Sequence, residues 1–138
     1  MNTEKPLLKI VLVVEDDDCL KLSINRCLRA IDRNLQIEWV GSVDEAEAYL
    51  QTHTVSLIIA DHGLLGFRTG LDLWNSNLVK TSRTPFVMIS GYPVEYFVRQ
   101  STEMPLPPIL TKPFSLSEFN TFVSGHFNSQ KNEPEVVR

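Results

Sequence analysis

Four short apolar runs, Val11–Val14, Leu57–Ala60, Phe86–Ile89 and Ile109–Thr111, limit what this chain can fold into. The first, extended back to Ile10, is continuous and β-branched with no polar residue in alternation, the pattern of a strand buried on both faces. A strand of that kind needs helices above and below it. Each run also stops on a polar residue: Glu15 and Asp16, Asp61, Ser90, and Lys112. Set side by side as parallel strands, the runs open their carboxyl ends on one crevice, where three acids, a hydroxyl and an ammonium meet.

The intervals between the runs read as helices. Asp18 suits the cap of a helix in which Leu20, Ile24, Cys27, Leu28 and Ile31 recur at three- and four-residue steps, ending near Asp32–Asn34 before a strand at Leu35–Val40. Ser42 followed by Glu45 is a capping box that opens a helix with Ala46, Tyr49 and Leu50 turned inward, and Val55–Ala60 is the third strand. A loop from Gly63 to Thr69 leads to one helix over Gly70–Lys80, with Leu71, Trp74 and Leu78 as its apolar stripe. Phe86–Ser90 is the fourth strand and Val94–Gln100 a short helix, after which the prolines within Met104–Pro108 forbid helix continuation before the fifth strand, Ile109–Thr111. A last helix from Ser115 is expected to bury Leu116, Phe119, Phe122, Val123 and Phe127.

Five strands thus alternate with five helices, and right-handed crossovers bring the first, third and fourth strands together. The expected fold class is α/β, a doubly wound five-stranded parallel sheet. Residues 1–8 read as a flexible N-terminus, 9–127 as the domain, and 128–138 as a polar C-terminal tail.

A chain of 138 residues fits one domain, burying about two-thirds of its unfolded surface. Its formal charge of −4 offers no electrostatic grip on DNA or an anionic membrane, so neither nucleic acid nor membrane is an expected partner. No apolar run approaches the roughly 20 residues of a membrane span and no cleavable signal pattern is present, which makes a cytoplasmic location the expectation. Cys19 and Cys27 sit about 12 Å apart along one helix, too far to pair, and lack the neighbours of a zinc site.

Three carboxylates within a few ångströms repel and raise one another's pKa unless a cation joins them. Magnesium suits that place, with Asp61, Asp16 and the Gly63 carbonyl as candidate ligands and Glu15 acting directly or through water. Asp61 beside such an ion can attack a phosphoryl group in line to give an acyl phosphate, with Lys112 absorbing charge on the transferring oxygens. A cis peptide at Lys112–Pro113 would aim that ammonium into the crevice. Ser90 can donate to a phosphoryl oxygen, a bond of on the order of 1.5–3 kcal/mol that shifts loop populations about tenfold to 150-fold. Taken singly, each residue also has a plainer role: acids decorating a helix N-terminus, Asp61 as a turn residue, Lys112 solvated, Ser90 bonded to nearby backbone.

As a set, VLVVEDD at Val11–Asp17, SLIIAD at Ser56–Asp61, PFVMISGY at Pro85–Tyr92 and ILTKPF at Ile109–Phe114 resemble the receiver domain of bacterial two-component response regulators, from Lys9 to about Phe127. The resemblance implies a flavodoxin-like fold with strand order 2-1-3-4-5. It implies that Asp61 accepts a phosphoryl group from a histidine kinase or histidine phosphotransfer protein in a phosphorelay. By motif position, Glu15 and Asp16 correspond to the acidic pair that holds Mg2+, Ser90 to the switch hydroxyl, and Lys112 to the lysine that contacts the phosphoryl group. Output then passes to a downstream effector protein or a covalently linked domain. Such a domain is no ordinary enzyme, although it catalyses its own phosphorylation.

Several residues depart from the family pattern. The loop HGLLGFRTG after Asp61 is longer than the commonest form, with Leu65 or Gly66 where proline is usual, and looks like loops of receivers attached to hybrid sensor kinases. Ile109 replaces the usual aromatic switch residue, so rotation of a ring there cannot be the output. Gly63 and Tyr92 flank the expected path of a hydrolytic water, which predicts slow loss of phosphate. These departures leave a rival reading, a receiver-like protein-interaction module regulated without phosphorylation. An aspartyl phosphohydrolase would need an acid where Gly63 stands, and a flavin-binding domain would need a phosphate-cradling loop where Glu15–Asp18 repel phosphate.

Overall fold

A computed structural model of the chain describes residues 9–64, 66–100 and 105–132. Strands β1 (Ile10–Val14), β2 (Gln36–Val40), β3 (Leu57–Asp61), β4 (Phe86–Ser90) and β5 (Ile109–Thr111) form one parallel sheet in the order β2-β1-β3-β4-β5. Every residue of β3 and β4 is buried, whereas the edge strand β2 stays partly exposed, so the unbroken apolar runs mark the central strands.

Helices α1 (Asp18–Ile31), α2 (Val43–Thr52), α3 (Gly70–Trp74), α4 (Asn77–Ser82), α5 (Val94–Gln100) and α6 (Leu116–Asn132) cover both faces. On one face Leu12, Ile58 and Met88 pack with Ala46 of α2, Leu73 of α3, Val79 of α4 and Phe97 of α5. On the other, Val13, Ile59 and Val87 pack with Ile24 and Leu28 of α1 and Phe119 and Val123 of α6. Successive strand residues point to opposite faces, and both faces are covered. Among the described residues, no helix is long and apolar enough to cross a membrane.

Among the described residues six helices stand where five were expected. The stretch read as one helix over Gly70–Lys80 breaks at Asn75 and Ser76, where Ser76 Oγ accepts from Val79 N at 3.4 Å and starts α4. Serine and asparagine bond nearby backbone in competition with the helix, and here that competition wins. The break turns Leu73 and Val79 fully inward, leaving Leu71, Trp74 and Leu78 only partly buried. Asp17, not Asp18, caps α1, its side chain accepting from Leu20 N at 3.0 Å. Leu116, expected inside, is 50% exposed on the first turn of α6, which opens with a reciprocal Ser115–Glu118 capping box. Residues 1–8, Leu65, Met104 and 133–138 lie outside the described residues, as does the Phe127 side chain.

Candidate functional site

Parallel pairing sets the carboxyl ends of the central strands in one row. Val14 pairs with Ala60, Asp61 with Ile89, and Ser90 with Thr111, so Glu15, Asp61, Ser90 and Lys112 emerge side by side. Backbone bonds hold that row together: Glu15 N to Val40 O at 2.9 Å, His62 N to Ile89 O at 2.9 Å, and Lys112 N to Ser90 O at 2.7 Å. The Lys112–Pro113 peptide is cis.

Asp61 is buried at the end of β3, and its Oδ1 forms an ion pair with Lys112 Nζ at 3.1 Å. Glu15, only 1% exposed, accepts through Oε2 from Asp16 N at 3.1 Å and Asp17 N at 3.0 Å. Its Oε1 is buried without a hydrogen-bond partner. Burial pushes the Glu15 carboxyl up to about 7; the backbone bond from Asp17 opposes that rise and the neighbouring Asp61 carboxylate adds to it. Asp16 follows, half-buried, close enough to Gly41 that a Cβ built on that glycine would lie 3.9 Å from the Asp16 Cβ. A Cβ built on Gly63 would lie 3.9 Å from Asp61 Oδ2, so the Gly63 backbone runs beside the carboxylate. Ser90 is fully buried, and its Oγ accepts from Tyr92 N at 2.9 Å, which leaves the hydroxyl proton free to donate.

Among the described residues, no group of three or more His, Cys, Asp or Glu side chains is gathered closely enough to hold a metal ion, so the expected meeting of three carboxylates is not seen. The donor chemistry nevertheless fits a hard divalent cation. Glu15 Oε1 is a buried carboxylate oxygen without a hydrogen bond and Asp61 Oδ1 has its ion pair with Lys112, and magnesium is commonly held by one or two carboxylates while keeping several waters.

Several contacts around the site were not foreseen from the sequence. Arg68 reaches from the loop after β3 to α2, bonding Asp44 at 3.0 Å and both Glu47 oxygens at 2.8 and 2.6 Å, contacts that hold its guanidinium firmly protonated. No local pattern announces so distant a pairing. His62 sits edge-on to Phe97 at 4.8 Å between centroids, with its pKa lowered by burial, while Tyr92 stacks on Tyr96 at 4.4 Å. The spacing of Tyr92 and Tyr96, one helical turn, was the available signal for that pair. Gly70 begins α3 against the backbone of Asp61 and His62.

Solved structures with the same fold include a CheY-like response regulator receiver domain protein from Methanospirillum hungatei, 18% identical over 92% of this chain and 99% of that one, TM-score 0.73. A response regulator receiver protein from Sinorhizobium medicae is 21% identical over 89% of this chain and 97% of its own, TM-score 0.74. The anti-anti-sigma factor PhyR from Bartonella quintana is 22% identical, TM-score 0.77, with 91% of this chain covering 51% of that chain. At these identities the likeness is one of fold. No curated protein matches the chain. Residues 11–124, which carry the five described strands except Ile10 and the site row at their ends, match the response regulator receiver domain, and the chain belongs to that family.

Proposed function

We propose that this receiver accepts a phosphoryl group on Asp61 from a histidine kinase or histidine phosphotransfer protein, in a magnesium-dependent reaction in the cytoplasm, and signals by changing its contacts. The downstream partner is a separate effector or a linked domain; the Bartonella PhyR chain, about twice the length matched, is an instance of a similar unit within a longer chain. The observation that carries the reading is the buried Asp61 carboxylate facing Lys112 Nζ at 3.1 Å, next to a second buried carboxylate, Glu15.

In the transfer, an Asp61 oxygen attacks phosphorus in line as the phosphorus–nitrogen bond to the donor imidazole breaks. The imidazole nitrogen leaves with the bonding electron pair and takes a proton from solvent. Lys112 meets the negative charge on the transferring oxygens. Ser90 donates its free proton to one of them, at the cost of rearranging the contact it makes with Tyr92 N. Glu15, Asp16, Asp61 and the Gly63 carbonyl are the groups that would hold magnesium, whose positive charge, when bound, offsets repulsion between the carboxylates and the incoming phosphoryl group. Gly63 offers no side chain to orient an attacking water, which favours a long-lived phosphoaspartate.

Incubation of the purified chain with magnesium and phosphoramidate tests this. Mass spectrometry is expected to find one phosphoryl group, on Asp61, persisting well beyond seconds and missing from Asp61→Asn. No label, or label elsewhere, would overturn the reading in favour of an interaction module regulated without phosphorylation.

A further inference from the structure

We infer that Gly70 is a positioning residue for the phosphoacceptor: lacking a Cβ, it lets the first turn of α3 close onto the Asp61 peptide and so sets the Asp61 carboxylate against Lys112. The inference rests on the phosphoacceptor role proposed above. A Cβ at Gly70 would stand 2.7 Å from Asp61 O, 3.1 Å from Asp61 C and 3.2 Å from His62 Cα. All three are backbone atoms, unable to swing aside as the end of a long side chain can.

Backbone freedom does not explain this glycine. Among the described glycines only Gly66 takes a positive φ, of 102°, whereas Gly70 is helical, where alanine would favour the helix by about 1 kcal/mol. Close approach is the remaining physical reason for glycine here.

The helix start is also fixed from its own side. Thr69 and Asp72 form a reciprocal capping box, with Thr69 N donating to Asp72 Oδ2 at 2.7 Å and Asp72 N to Thr69 Oγ1 at 3.3 Å. Leu73 anchors the same turn in the core, and Arg68 ties the preceding loop to α2. An added methyl group therefore presses on the Asp61–His62 peptide, and the carboxylate it carries shifts relative to Lys112 by a fraction of an ångström. Misplacement of that size slows a reaction that depends on in-line geometry by about tenfold.

The test uses the full chain with magnesium and saturating phosphoramidate. Gly70→Ala is expected to keep its far-ultraviolet circular dichroism and its final phosphoryl stoichiometry. Its saturating rate should fall about tenfold, with the donor concentration at half-saturation unchanged. Val123→Ala, which opens a cavity under α6 on the opposite face of the sheet and leaves the first turn of α3 alone, is expected to keep the parent rate. A folded Gly70→Ala protein with the parent rate, or a Val123→Ala protein slowed as much, overturns the inference. Should Gly70→Ala fail to fold, Thr69→Ala, which loosens the cap that holds the turn, decides instead: several-fold slowing supports positioning and an unchanged rate overturns it. A parent chain that takes up no phosphoryl group overturns the phosphoacceptor role itself, a result distinct from one confined to the Gly70 variant.

Discussion

Burial raises the Glu15 carboxyl from an ordinary 4.5 to about 7, so above that pH the folded chain holds an ionised group beside Asp61 that the unfolded chain hydrates freely. With the folded value the higher one, the stabilising contribution of protonated Glu15 is complete below 4.5 and is lost as pH rises through about 7. Glu15→Gln removes the cost that remains at higher pH. In the presence of a chelator, this variant is expected to be more stable than the parent at about pH 8, by on the order of 2–3 kcal/mol, with no gain at about pH 4. It should also lose the stabilisation that magnesium gives the parent. Urea unfolding with and without magnesium reads both effects, and a Gln variant weaker than the parent in chelator at the higher pH would contradict the account. Glu15, Asp61, Ser90 and Lys112 were legible in the sequence because each ends a strand, a position that a short apolar run fixes to within a residue or so. Gly70 was legible only as the start of a helix, since the backbone a glycine approaches depends on how the intervening loop returns.

At the level of the elements, packing decides between competing local signals. Ser76 was visible as a residue suited to capping, yet the apolar period from Leu71 to Leu78 ran through it, and only the packing of Leu73 and Val79 shows which signal governs. The loop between β3 and α3 owes its position to Arg68, whose partners Asp44 and Glu47 lie on α2. Arg68 is 40% exposed, which allows solvent to weaken the pair. Arg68→Ala is accordingly expected to cost up to about 1 kcal/mol at low salt and much less in high salt, while speeding amide exchange in the loop. A cost that is independent of salt would show that the residue acts through packing of its stem instead.

For the whole molecule, right-handed crossovers made the adjacency of the first, third and fourth strands legible and the unbroken first run required burial on both sides, while the full strand order came only with the family resemblance. That order puts β1 and β3 together, with their crossovers leaving to opposite faces, and opens the crevice at their carboxyl ends. What could not be read was the side-chain detail above that row, where His62, Phe97, Tyr92 and Tyr96 form an aromatic group. Glu15, Asp61, Ser90 and Lys112 are expected to act as one phosphoryl-accepting site. Titration of the chain with magnesium and beryllofluoride, followed through its amide spectrum, tests it most directly. The signals of Ser90, Tyr92 and Lys112 are expected to move together in the parent and to stay still in Asp61→Asn; a parent spectrum that does not change would contradict the account.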